Sequence, residues 1–151
     1  MYTKQELKQL RKDFWDQFKT WSGYKRARKG KKGRWLMNET GIKQVKLKFH
    51  FDEHLAYTGI EIDTRNREKR TFLWHKLESL RKLLDEKAGF PLDWEKDSEI
   101  EGPRKISRIY SRLNEVSIYN RKDWKAVNDF FYQRMSIFED FFLEYRDSLK
   151  H

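Results

Sequence analysis

The chain has 151 residues, a length that suits a single domain able to bury a hydrophobic core. Its formal net charge is +10, which favours an anionic partner such as nucleic acid, a membrane surface or an acidic protein. Because cysteine is absent, disulfides, thiolate zinc sites, iron–sulfur clusters and cysteine nucleophiles are excluded. The sequence shows neither the apolar core of a signal peptide nor a run of about 18 apolar residues, so we predict a cytoplasmic protein without a membrane partner.

The first segment has the pattern of an amphipathic helix. Thr3-Lys4-Gln5-Glu6 is a capping box, and apolar residues from Leu7 to Phe18 follow it at helical spacing. Glycine commonly follows the last residue of a helix, so we predict that this helix ends near Ser22-Gly23.

The next segment, 24–34, is strongly basic and lacks apolar periodicity. It contains two internal glycines, so we predict an exposed, mobile loop. Its cations can neutralise successive phosphates of a nucleic acid, and the ring at each end can stack on an unpaired base. A solvated loop without a specific role is the alternative. The candidate nucleic-acid-binding residues are Tyr24, Lys25, Arg26, Arg28, Lys29, Lys31, Lys32, Arg34 and Trp35.

Strand patterns and a second helix follow the basic segment. From Val45 to Phe51 apolar residues alternate with lysine and histidine, which predicts a strand with one core face and one basic face in water. Leu55 to Asp63 predicts the returning strand of an antiparallel hairpin. Thr64 to Lys87 carries a leucine stripe and predicts one long helix. The other predicted elements are a strand that begins at 35–37, a short strand at 92–95, a charged turn at 96–103 and a strand at 104–112.

The most aromatic stretch, 120–149, predicts a long final helix that packs on one face of the sheet. Asn120 is a suitable N-cap, and no glycine or proline interrupts the stretch. The order of elements is α-ββ(β)-α-ββ-α. We therefore predict a single α+β domain over 1–151, in which an antiparallel sheet built from two strand pairs packs against three helices.

Several short motifs along the chain carry a resemblance to a known family. They are Phe14-Trp15 in the opening helix, Gly41-Ile42-Lys43, Gly59-Ile60-Glu61-Ile62, Lys105-Ile106-Ser107-Arg108-Ile109-Tyr110, and Val116-Ser117-Ile118-Tyr119-Asn120 leading to Asp123-Trp124. On these residues the sequence resembles a bacterial family catalogued as domain of unknown function 4268. Members occur alone or at the C-terminal end of proteins that look like restriction-type nucleases. The resemblance implies an accessory role near DNA, and it names no reaction and no site residues.

A divergent metal-dependent nuclease is the enzymatic alternative. Restriction-type folds hold Mg²⁺ with an acidic residue on one strand and a Glu-X-Lys or Asp-X-Lys on the next, where the lysine helps to position the attacking water. Glu61 and Asp63 lie on one face of a predicted strand, but Asp63 occupies the position of that lysine. We therefore favour a non-enzymatic domain without a cofactor or metal site.

Two further hypotheses concern partners. The first is weak binding of nucleic acid, or assistance to a nuclease partner protein, through the basic loop. The second is a protein-interaction or homodimerisation module, which applies if several rings remain exposed together. The rings in question are Trp15, Trp74, Tyr132 and Phe141.

Overall fold

Helices and strands follow one another along the chain in the manner of an α+β protein, as predicted. A computed structural model describes residues 1–31, 33–101 and 103–151. Its elements are α1 (Lys4–Arg28), β1 (Val45–Phe51), β2 (Leu55–Ile62), α2 (Arg67–Ser79), α3 (Arg81–Ala88), β3 (Asp93–Glu101), β4 (Arg104–Asn114), a 3₁₀ helix (Arg121–Asp123) and α4 (Trp124–Lys150).

The four strands form one antiparallel sheet in the order β1-β2-β4-β3. The two predicted strand pairs are present as hairpins, with Val45 opposite Ile62 in the first and Asp93 opposite Tyr110 in the second. The central pairing of β2 with β4 joins the hairpins into a single sheet and sets Ile60 opposite Ile109. The two edges of the sheet are therefore β1 and β3.

Gly59 lies in the middle of the sheet, where β2 passes very close to β4. Its partner across the ladder is Tyr110. A Cβ atom built on Gly59 would lie 2.1 Å from the carbonyl oxygen of Ile109 and 2.6 Å from the Cα atom of Tyr110. No side chain tolerates such contacts, so the close approach of the two central strands requires glycine at this position.

The helices pack on one face of the sheet. Buried side chains of α2, α3 and α4 meet strand residues such as Leu47, Ile60 and Ile109, while α1 and the first half of α4 enclose Phe51 and Ala56. Side chains alternate between the two faces of a strand, and all five of these residues share one face. Among the described residues the opposite side of the sheet, here called the open face, carries no helix. Side chains on the open face include Lys46, Lys48, His50, Tyr57, Glu61, Asp63, Asp93, Glu95, Arg108, Tyr110 and Arg112.

The predicted end of the first helix is wrong, because α1 continues through Gly23 to Arg28. The residue that ends α1 is the next glycine, Gly30, which has a φ of +75°. The N–H of Gly30 donates to the carbonyl of Ala27, and the N–H of Lys31 donates to the carbonyl of Arg26. This pattern is a Schellman motif, and it assigns 24–28 to the helix rather than to a loop.

Three other boundaries differ from the prediction. The leucine-striped segment forms two helices, because Leu80 leaves helical geometry with φ −101° and ψ 7°. Four α-helices are therefore present in the described chain instead of three. The predicted turn at 96–103 is largely part of β3, which pairs with β4 despite a bulge between Glu95 and Ser98. Residues 35–37 form no strand, although the carbonyl of Met37 accepts a hydrogen bond from the N–H of Leu47 on the β1 edge.

The predicted final helix is confirmed, with a small change at its start. Asn120 caps the 3₁₀ helix through a hydrogen bond from the N–H of Lys122, and α4 begins at Trp124. The helix α4 contacts β1, β2 and β4, as its aromatic stripe predicts. Within the described residues, no helix combines the length and the apolar character needed to cross a membrane.

Candidate nucleic-acid interface

The predicted basic residues divide into two groups in the folded chain. Arg26 and Trp35 belong to the interior side, with Arg26 6% exposed and Trp35 half-buried. The burial of Arg26 and the packing of Trp35 leave these two residues little surface for a nucleic acid. Lys32 lies outside the described residues. The remaining six form a surface that we call the basic end of α1, and they are Tyr24, Lys25, Arg28, Lys29, Lys31 and Arg34.

Arg26 connects three segments of the chain. Its Nη1 donates to Glu139 Oε1 on α4 at 2.9 Å, and its guanidinium lies 4.0 Å from the ring centroid of Trp35. Its Nη2 donates to the carbonyl of Arg34, and the second carboxylate oxygen of Glu139 accepts the N–H of Leu36 at 3.0 Å. A charge buried at this depth needs such a partner, since desolvating a lone guanidinium is costly. The ion pair thus fixes the segment after α1 against α4.

Most cations of the basic end have no carboxylate partner. Within the described chain, Lys25, Arg28, Lys29 and Arg34 form no ion pair, whereas Lys31 pairs with Asp140 at 2.9 Å. The ammonium groups of Lys25 and Lys29 lie 5.0 Å and 5.8 Å from the ring centroid of Tyr132, which limits their freedom without neutralising them. The Tyr24 ring is 72% exposed beside them.

The basic face of β1 does not continue this surface directly. Lys46, Lys48 and His50 project from the open face of the sheet, whereas the alternating residue Phe49 packs on Trp35 from the opposite face. The alternation predicted from the sequence is therefore present, and it places the two lysines and the histidine on the open face, away from the basic end of α1.

The nuclease candidates Glu61 and Asp63 both lie on the open face, on either side of one lysine. Lys46 Nζ is 4.0 Å from Glu61 Oε1 and 3.1 Å from Asp63 Oδ2, and Asp63 also pairs with Arg104. Burial opposes ionisation of Asp63, but the hydrogen bonds from Lys46 and Arg104 outweigh it and lower the pKa of this carboxyl. In the described residues no three acidic or histidine side chains gather as a metal cluster. The two cations already neutralise Asp63, so this arrangement favours a structural ion-pair network.

Arg108 occupies the centre of the open face. Its guanidinium lies 4.2 Å and 5.1 Å from the ring centroids of Tyr110 and Tyr57, and its Nε donates to Glu95 at 2.8 Å. The hydroxyl of Tyr57 donates to Glu61 Oε2 at 3.3 Å. Burial and the negative charge of Glu61 raise the pKa of Tyr57 to about 12. Each charged group of this network therefore has a partner, which leaves little for a ligand to compensate.

The rings on which the interaction hypothesis depends are mostly inside the protein. Trp74, Tyr132 and Phe141 are buried, and Trp15 is half-buried against Phe131. These rings cannot form an exposed interface together. The exposed apolar side chains that remain are scattered: Met1 and Tyr2 precede α1, and Tyr24, Phe72, Leu83, Ile100 and Leu143 lie on five different elements.

A second group of cations, at the start of α2, is not evident from the sequence. Arg65, Arg67 and Arg70 follow β2, while Arg104 and Lys105 begin β4, and all five line one cleft. Neither stretch is unusual by itself, since arginine is common at helix starts and strand ends. Only the pairing of β2 with β4 brings the two stretches together.

Comparison with known proteins gives a family for the chain. No curated protein and no solved structure matches it. A family model described as a domain of unknown function, DUF4268, matches residues 10–146. The matched region extends from α1 to the last turns of α4, and it includes the basic end of α1 and the open face. The resemblance noted in the sequence is thereby confirmed, and the chain belongs to the DUF4268 family.

Proposed function

We propose that the chain is a non-enzymatic nucleic-acid-binding domain whose contact surface is the basic end of α1. The observation that carries the proposal is the group of four exposed or half-exposed cations that form no ion pair in the described chain, beside the exposed ring of Tyr24. Phosphates are the ligands that such cations bind, and each contact releases counterions condensed on the nucleic acid.

The charge at this end exceeds what the helix itself requires. Cations in the last turn of a helix interact favourably with its dipole, which explains Lys25 and Arg28 in structural terms. Lys29, the C-cap residue, and Arg34 beyond it add charge that no carboxylate of the described chain neutralises, whereas Lys31 pairs with Asp140. The further cations therefore support a function outside the fold, and a polyanionic partner accounts for them.

The backbone under these cations is held in place. The Schellman motif at Gly30 ends α1, and the Arg26–Glu139 pair holds the following segment on α4. A preorganised surface loses less conformational entropy on binding than a free loop does. With about four phosphate contacts, we expect the affinity of a non-specific binder, with a Kd of roughly 10⁻⁶ to 10⁻⁴ M. Such a domain would assist a DNA-processing partner by holding its substrate in the cytoplasm.

A charge-neutralised variant tests the proposal. Lys25, Arg28, Lys29 and Arg34 are replaced together by glutamine, and binding to a labelled oligonucleotide is followed by fluorescence anisotropy at about 50 mM KCl. The matched control replaces four other cations that form no ion pair in the described chain: Lys4, Lys8, Lys82 and Lys122. We expect the first variant to bind at least about tenfold more weakly and the control to lose much less. Equal losses in both variants would mean that only net charge matters, and the proposed surface would be wrong.

The exposed ring of Tyr24 provides an independent test. Stacking of an aromatic ring on an unpaired base contributes about 1–3 kcal/mol, and a duplex does not offer that base face. Replacing Tyr24 by alanine should therefore weaken binding to single strands and leave duplex binding unchanged. An equal effect on both substrates would exclude the stacking role.

A further inference from the structure

The cleft at the start of α2 is a second basic surface, separate from the basic end of α1. It has a volume of about 460 Å³. One wall comes from the connection between β2 and α2, and the other comes from the hairpin of β3 and β4. Its lining residues are Thr64, Arg65, Arg67, Arg70, Asp97, Pro103, Arg104 and Lys105.

Arg70 forms the buried part of this cleft, with its side chain 8% exposed. Its Nη1 donates to the carbonyl of Lys96 at 2.6 Å and to Ser107 Oγ at 2.8 Å. Its Nη2 donates to Asp97 Oδ1 at 2.9 Å, and Asp97 itself is half-exposed. The guanidinium is therefore held by three atoms of the cleft wall and keeps a fixed orientation, and two of these three partners are neutral.

Positive charge in the cleft is only partly compensated. Arg104 pairs with Asp63, and Arg70 pairs with Asp97. Among the side chains that the structure describes, which do not include that of Glu101, Arg65, Arg67 and Lys105 form no ion pair, although the charge of Lys105 acts on nearby Asp97. A concave surface thus gathers five cations and the carboxylate of Asp97, and the low-dielectric walls of a cleft strengthen the attraction of this excess positive charge for an anion.

The backbone at the same place is compatible with an anion. The side chain of Asn66 accepts the N–H of Lys69, and the carbonyl of Asn66 accepts the N–H of Arg70. The N–H groups of Arg67 and Glu68, in the first turn of α2, have no acceptor among the described residues. These donors add to the attraction that the cleft cations supply.

We infer that this cleft binds a phosphate group, held by Arg65, Arg67 and Lys105 against the fixed guanidinium of Arg70. Guanidinium groups suit phosphate because they donate paired, charge-assisted hydrogen bonds to its oxygens. The phosphate belongs either to a nucleic acid or to a small polyphosphate compound, which share this chemistry. The inference goes beyond the proposed function, since none of the cleft residues belongs to the basic end of α1.

The first arm of the test uses inorganic pyrophosphate as the probe. The full chain, labelled with ¹⁵N, is titrated at constant ionic strength, and the backbone amides of Arg67 and Glu68 are followed by NMR. We expect shifts that saturate, and an Arg65→Gln/Arg67→Gln variant whose affinity is at least about tenfold lower. A Lys82→Gln/Lys122→Gln variant serves as the charge-matched control and should behave like the wild type. Absence of saturable shifts at these amides, or equal affinity in the Arg65/Arg67 variant, would overturn the inference.

The second arm uses a single-stranded oligonucleotide and distinguishes the two phosphate sources. If the oligonucleotide shifts the same amides and binds the Arg65/Arg67 variant more weakly, the phosphate belongs to nucleic acid. If only pyrophosphate shifts them, the ligand of the cleft is a small phosphate compound. The four-residue variant of the basic end should keep its affinity for pyrophosphate in either case. A negative result for pyrophosphate binding in the cleft can thereby be distinguished from a negative result for nucleic-acid binding at the basic end of α1.

Discussion

Replacement of Glu139 by alanine should destabilise the protein strongly. The Glu139 side chain is 3% exposed, and it accepts hydrogen bonds from Arg26 Nη1 at 2.9 Å and from the Leu36 N–H at 3.0 Å. Without it, the Arg26 guanidinium stays in a site where it is 7% exposed and has no carboxylate. Loss of one partner of a buried ion pair costs about 3–5 kcal/mol, a large part of the roughly 5–15 kcal/mol that stabilises a domain.

The assay is the free energy of unfolding from urea denaturation, with two companion variants. Glu139→Gln keeps an acceptor for Leu36 but loses the charge, so its cost should be smaller than that of alanine. The double variant Arg26→Met/Glu139→Leu replaces the pair by apolar groups and should be more stable than Glu139→Ala, because no buried charge is left alone. If Glu139→Ala lies within about 1 kcal/mol of the wild type, the pair does not hold the segment after α1, and the reasoning is refuted.

Three smaller predictions concern glycine positions and pH. Gly59→Ala should cost about 3 kcal/mol or more in urea unfolding, because its Cβ would meet the Ile109 carbonyl at 2.1 Å, and a near-neutral result would contradict the strand geometry. Gly23→Ala should instead stabilise by about 0.5–1 kcal/mol, because Gly23 is inside α1 with no atom within 4 Å of the added Cβ, whereas destabilisation would indicate a helix end there. The lowered pKa of Asp63 means that its ionised form stabilises the fold at pH values above 3.8, the ordinary pKa of this side chain. This stabilisation is lost as the pH falls through the lower pKa that Asp63 has in the folded protein. The fall in urea midpoint between pH about 5 and about 2.5 should therefore be smaller in Asp63→Asn, and an unchanged fall would remove the ion pair with Lys46 from the account.

Strand positions were predictable where local alternation decided them. The bounds of β1 and the hairpin with β2 follow from residues that alternate between a buried and a polar face, and this signal is independent of the rest of the chain. The end of α1 was not predictable in the same way, because Gly23 and Gly30 offer equal local signals. The burial of Ser22 and Arg26 against the core carries the helix past the first glycine, at a cost of about 1 kcal/mol for glycine in a helix.

The positive charge of the candidate site could be predicted from the sequence, but the exposure of each basic side chain could not. In the sequence Arg26 resembles its basic neighbours, since no nearby residue distinguishes it. Its partner Glu139 is 113 residues away and is brought to it only by the packing of α4 on α1. The arginine cleft was missed for the same reason, since Arg67 and Arg104 meet through the pairing of two strands that are distant in the chain. Long-range pairing therefore decides which cations face solvent.

The salt dependence of binding tests the central claim most directly. The logarithm of the association constant for a duplex is plotted against the logarithm of the KCl concentration, for the wild type and for the variant with Lys25, Arg28, Lys29 and Arg34 replaced by glutamine. Each phosphate contact contributes about 0.9 to the slope, so loss of four contacts should make the slope shallower by about 3 to 4. The same slope in both proteins would contradict a nucleic-acid surface at the basic end of α1.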